Sequence, residues 1–95
     1  MAEKRNLINI QDTIGSSSKV VLEYNSKRTY LLIQNNDPDN SIYLTFGEDA
    51  TLANGVRIGP NLAYEPPYEV ISQVNIISTG EASPIVVVTN IEAQV

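Results

Sequence analysis

Oxygen-bearing side chains supply most of the chemistry this chain could perform, and Asp37, Asp39 and Asn40 come first: three oxygen donors on one tight loop, the donor type that holds calcium. An EF-hand loop needs further ligands, including a glutamate several positions on. Asn36-Asp37-Pro38-Asp39-Asn40 also has the residue order of a type I turn with proline at its second position. The expectation is a turn, and no metal or cofactor is assigned. Glu48 and Asp49 are adjacent and point to opposite faces of an extended chain, so they make no carboxylate pair. Glu65 and Glu69 bracket Pro66-Pro67 and could approach one another as a glycosidase pair does, but a chain this short can hardly build the substrate cleft. Ser16-Ser17-Ser18 has no imidazole to activate it, because the chain contains neither His nor Cys. The commonest general base, the thiolate nucleophile and the soft metal ligands are therefore missing. The residues describe a protein that binds, and no catalytic residue is assigned.

Binding chemistry is better represented. Five tyrosines stand against one Phe and no Trp. Tyrosine joins apolar area to a polar tip, which suits protein interfaces. Tyr43 is singled out because it alternates with Ile42, Leu44 and Phe46; if those three face a core, Tyr43 faces outward. Tyr64 and Tyr68 flank Pro66-Pro67 and would present a rigid corner.

These groups must be positioned by strands. Thr29–Gln34 is apolar and β-branched, Asp37–Asn40 is turn chemistry, and Ser41–Phe46 alternates polar with apolar, which predicts a β-hairpin. Lys19–Tyr24, Val56–Ile58, Leu62–Glu65, Val70–Ser78 and 84–91 read as further strands, with a single helical turn at Glu48–Thr51 and a tight turn at Asn54-Gly55. Turn signals recur at the spacing of an antiparallel sandwich or barrel, and no helix-period segment of useful length occurs. The predicted fold is all-β: an antiparallel β-sandwich, Ig-like or jelly-roll-like, of six to eight short strands. Residues 18–95 form it, and residues 1–17 are an N-terminal arm or edge strand. In Ile85-Val86-Val87-Val88 apolar side chains point both ways, so this strand is covered on both faces or lies against another subunit, and Val86 and Val88 become contact candidates.

At 95 residues the chain is one small domain, 42% hydrophobic and 18% charged, which is globular composition. Lacking disulfides, it is expected to gain stability by oligomerising. No apolar stretch reaches the length of a membrane span and no signal-peptide region follows Met1, so synthesis in a cytoplasm is expected. The net charge of −5 is unevenly spread: residues 1–28 are weakly basic, whereas beyond them Arg57 stands alone against eight carboxylates. Such a body repels phosphate backbones, so neither nucleic acid nor membrane is an expected partner.

Arg28-Thr-Tyr-Leu-Leu-Ile-Gln-Asn-Asn, then Ser41-Ile-Tyr-Leu-Thr-Phe-Gly, then Ala50-Thr-Leu-Ala-Asn-Gly-Val-Arg-Ile, then Leu62-Ala-Tyr-Glu, together resemble a pattern in small virion proteins of tailed bacteriophages. There an R-x-x-L-x-I-Q-N strand precedes I-Y-V-x-F-G, an A-T-x-x-x-G-I turn and a G-x-x-x-E strand. The likeness covers roughly residues 28 to 65 and departs at Gly59-Pro60-Asn61 and around Pro66-Pro67. It implies a decoration or cement protein on the capsid exterior, or part of a head fibre, made in the host bacterial cytoplasm. The implied partners are the major capsid protein and sister subunits in a dimer or trimer. Under that resemblance Lys4, Arg5, Leu7, Ile8 and Ile10 form an arm on the shell or a sister subunit, and Tyr43, Tyr64 and Tyr68 are contact candidates. A neck, tail or fibre-base component is the alternative; a carbohydrate-binding module is a further one, opposed by the missing Trp.

Overall fold

The computed structural model describes residues 6–90 and contains eight strands: β1 (Leu7–Ile14), β2 (Lys19–Leu22), β3 (Leu31–Asn35), β4 (Ile42–Phe46), β5 (Val56–Ile58), β6 (Ala63–Tyr64), β7 (Val74–Ser78) and β8 (Ser83–Asn90). They form two four-stranded sheets, β1-β8-β3-β6 and β2-β7-β4-β5, in which every neighbouring pair is antiparallel. The pairings β1 with β8, β2 with β7, β3 with β6 and β4 with β5 describe one long double strand wound into two layers. That winding is the eight-stranded jelly roll, not the Ig-like arrangement.

The pleat decides what lies between the layers. In β1 the residues Ile8, Ile10, Asp12 and Ile14 turn inward, while Leu7, Asn9, Gln11 and Thr13 turn outward. Ile85 and Val87 of β8 and Leu31 and Ile33 of β3 meet Leu22, Ile42, Leu44, Ile58, Val74 and Ile76 of the second sheet in one buried cluster. Each such side chain contributes about 1.5–3 kcal/mol relative to exposure. Phe46, expected in this core, packs against it only partly buried.

The expected hairpin of residues 29–46 does not form. β3 lies in the first sheet and β4 in the second, so the Asn36–Ser41 link crosses between layers. Alternation tells which face of a strand is buried and says nothing of which strand pairs with it. The crossing is fixed by Asn35, whose amide donates to the carbonyls of Asn40, Ile58 and Gly59 while its oxygen accepts from the Asp37 N–H.

The expected helical turn at Glu48–Thr51 is also absent. The Thr45 hydroxyl donates to the Glu48 carbonyl, and the Ala50 N–H donates to Ser18 Oγ beside β2. Since β7 lies between β4 and β2, this loop bridges from the β4 side of the second sheet to the β2 side. Its return requires Gly55, at φ 87°, where a Cβ would stand 2.3 Å from the Leu44 carbonyl oxygen.

The strand expected at Val70–Ser78 begins only at Val74. Before it, residues 65–73 form an irregular corner whose carbonyls are taken by Arg28, with Nη1 on Val70 O at 2.9 Å and Ser72 O at 3.0 Å.

Candidate interaction surface

The first sheet turns outward a face of unusual chemistry. Across it run the rows Gln11–Val86–Gln34 and Asn9–Val88–Leu32, with Thr13 opposite Pro84 and Leu7 at the far end. None of these residues is charged, in a chain of net charge −5. The charged residues of the described strands are Asp12, which turns inward, Lys19 and Arg57, the last two in the second sheet. Depletion of charge is one compositional mark of the centre of a protein interface. At one end of it a hollow of about 500 Å³ opens among Gln11, Asp12, Thr13, Asn36, Pro84 and Val86.

The expected contact residues divide between surfaces. Leu7, Val86 and Val88 share this outer face; Leu7 is 48% exposed and the two valines are half-buried. Ile8 and Ile10 lie on the inner side of the same strand, half-buried, with Ile10 packed on the core. Tyr43 is on the outer side of the opposite sheet, between Ile77 and Arg57. Tyr64 does not protrude: it pairs with the inward-facing Ile33 and packs against the core, and burial with the adjacent Tyr68 hydroxyl pushes its phenol up. Tyr68 is 62% exposed on the 65–73 corner. Lys4 and Arg5 lie outside the described residues. Asn9, Gln11, Leu32 and Gln34 were not singled out from the sequence; their signal was the lack of charge on alternate positions of three strands.

The acidic candidates turn out to be structural or peripheral. Asp37 Oδ1 accepts from the backbone N–H groups of Asp39 and Asn40, and Oδ2 from the Asn40 amide and the Ser83 hydroxyl. The Asp39 N–H first, then Ser83 and Asn40, hold its carboxyl at about 2. Glu65 accepts a hydrogen bond from the Tyr30 hydroxyl and, with Glu69, Tyr68 and Pro66-Pro67, borders a cavity of about 340 Å³. Among the described residues no group of three or more carboxylates is placed to hold a metal ion, and no helix is long and apolar enough to cross a membrane.

No protein-family model and no curated protein matches the chain. Solved structures of similar path include a protein of Bacillus endospore appendages, described as a novel family of disulfide-linked pili, at 10% identity and TM-score 0.49, covering 93% of this chain and 90% of that one. Another is Aeromonas hydrophila PliG, a periplasmic inhibitor of g-type lysozyme, at 8% identity and TM-score 0.44, covering 95% and 90%. A third is PirA, at 14% identity and TM-score 0.38, covering 94% and 96%. Likenesses this distant carry no weight for function.

Proposed function

We propose that this chain is a non-enzymatic structural protein of a tailed-bacteriophage particle, binding the outside of the capsid shell and stabilising it as a decoration or cement protein. The observation that supports the reading most is the uncharged outer face of the first sheet, held by a core of fixed strands and lacking the charges that cover an ordinary solvated surface. The jelly-roll winding is shared by viral capsid and lectin domains, which is fold-level analogy. The resemblance over residues 28 to 65 supplies the phage assignment.

Cementing asks for modest affinity repeated many times. One small unit touching two neighbouring shell subunits gains avidity from the lattice, and it stabilises the assembled shell by binding it better than the separated parts. In this scheme the partners are the major capsid protein and sister subunits, and the location is the capsid surface.

The test compares particles produced with and without the gene for this chain. The chain should copurify with heads in a copy number that tracks the major capsid protein, and heads lacking it should release DNA at lower temperature. Recovery at a few copies per particle with tails would give the neck, tail or fibre-base role instead, and absence from all particles would end the virion reading. The Tyr30–Tyr68 cavity with its two glutamates favours a second reading, a carbohydrate-binding module, which a glycan array checks directly.

A further inference from the structure

Of the sheet edges among the described residues, three are poorly suited to receive another strand. β5 and β6 have three and two residues, and β2 has four with a bulge between Val20 and Leu22. β1 is different: eight residues in unbroken register with β8 on one side. An edge of that length presents a row of unpaired backbone donors and acceptors.

Which residues present them follows from the ladder. The Asn36 N–H donates to the Pro84 carbonyl, so even-numbered residues of β8 bond to β3 and odd-numbered ones to β1. Opposite Ile85, Val87 and Thr89 stand Asp12, Ile10 and Ile8. The backbone groups of Leu7, Asn9, Gln11 and Thr13 therefore point away from the sheet. Thr13 agrees, since its N–H donates to its neighbour's Asp12 Oδ1 at 2.8 Å. Asp12 also accepts from Lys19 of the facing sheet at 2.6 Å; burial alone would raise its pKa, and Lys19 with the Thr13 N–H outweighs that and lowers it. An inward charge and an occupied N–H thus close the edge from Asp12 onward. The open stretch is Leu7–Gln11, and it contains no charge.

We propose that this stretch pairs with the same stretch of a second copy, antiparallel about a two-fold axis at Asn9, joining two first sheets into one eight-stranded sheet. The inference goes beyond the capsid reading and does not depend on it. In this register Leu7 faces the partner's Gln11 and Asn9 faces its own equivalent, each pair exchanging both backbone bonds. On the inner side Ile8 lies against the partner's Ile10, covering two isoleucines that are half-buried in the single chain. No like charges meet, and Asp12 and Thr13 stay outside the paired segment. The contact is short, so the dimer is weak and concentration-dependent.

Sedimentation or light scattering up to millimolar concentration, combined with changes at the exposed Asn9, tests this. Asn9→Lys should leave the melting curve unchanged and weaken the dimer about fivefold or more, because like charges then face each other. Asn9→Glu should do the same alone, and an equal mixture of the two variants should dimerise again. Asn9→Cys, the sole thiol in its chain, should be joined rapidly by a short bis-maleimide, since the paired Cα atoms stand about 5.5 Å apart. Thr13→Cys should not, at about 26 Å. A wild-type protein monomeric throughout, cross-linking at Thr13→Cys as fast as at Asn9→Cys, or a dimer indifferent to Asn9→Lys would each overturn the proposal; the last would show that another surface holds the copies together.

Discussion

At one end of the sandwich the Arg28 guanidinium is buried on three main-chain carbonyls, those of Val70, Ser72 and Glu23, while its Nε finds no partner among the described residues. At the other end the Asp37 carboxylate is surrounded by N–H and hydroxyl donors and has both oxygens occupied. Arg28 has no counter-charge among its bonded partners, and burial lowers its pKa. Its worth therefore lies in geometry: one rigid fork ties the 65–73 corner to the end of β2 and the start of β3 across more than forty residues of sequence. Asp37 works mostly within its own turn, and among the described residues Ser83 alone connects it to a distant strand. One buried charge fixes the position of an irregular segment, whereas the other fixes the shape of a turn already favoured by its sequence.

Removing each group should expose that difference. Arg28→Ala leaves three carbonyls without donors and a cavity among them, at a cost of about 3–5 kcal/mol. That is a large share of the stability of a domain this size. Denaturant unfolding should show the loss, and amide exchange should accelerate first at residues 69–73. Arg28→Lys should recover only part, because an ammonium cannot reproduce the planar fork. A variant within about 1 kcal/mol of wild type would mean that the corner is held by something other than Arg28.

At the opposite end the comparable long-range tie is Asn35 rather than Asp37. Asn35→Ala strands the carbonyls of Asn40, Ile58 and Gly59 and the Asp37 N–H, some of which water can reach once the side chain is gone. A loss of about 2–3 kcal/mol is expected. The crossing between β3 and β4 should loosen with it, read as faster exchange at residues 36–41. Equal losses for Arg28→Ala and Asn35→Ala, with exchange spread evenly over both ends, would erase the contrast between them.

Why one end was easier to read from the sequence follows from the same contrast. Asp37-Pro38-Asp39-Asn40 announces a turn through its own residues, and its bonds are mostly local, so the sequence carried the signal. Arg28 heads the R-x-x-L-x-I-Q-N motif, but by residue type it looks like any surface cation next to Lys27, and its burial rests on partners forty residues away. Strand positions were legible for a similar reason: alternation in Ile42–Phe46 and the double-faced Ile85–Val88 is written locally. Pairing was not, and β3 with β4 shows it, since the buried face of β4 was read while its partner strand was misassigned. The candidate surface was half legible. Val86 and Val88 stood out as apolar residues on the wrong side of a strand, whereas Asn9, Gln11 and Gln34 matter through an absence of charge that appears only when β1, β8 and β3 are laid side by side.

The smallest expected effect is confined to acid. Because the Asp39 N–H, Ser83 and Asn40 donate to the ionised form, the folded carboxyl of Asp37 titrates at about 2, below the ordinary value near 3.8 that it regains on unfolding. A group depressed in the folded state adds stability that is fully present above the unfolded pKa and disappears as pH falls from about 4 to about 2. Asp12 is also lowered and slopes in the same direction, so the comparison is made between Asp37→Asn, Asp12→Asn and the double variant. Thermal midpoints measured from pH 7 to pH 2 should fall less steeply below pH 4 in Asp37→Asn than in wild type, with a lower starting value at neutral pH. Arg28 does not titrate in this range, so Arg28→Lys should keep the full acid slope on a lower curve. If Asp37→Asn kept the wild-type slope, its donors would not be favouring the ionised carboxylate, and the two ends would differ in sign of charge alone.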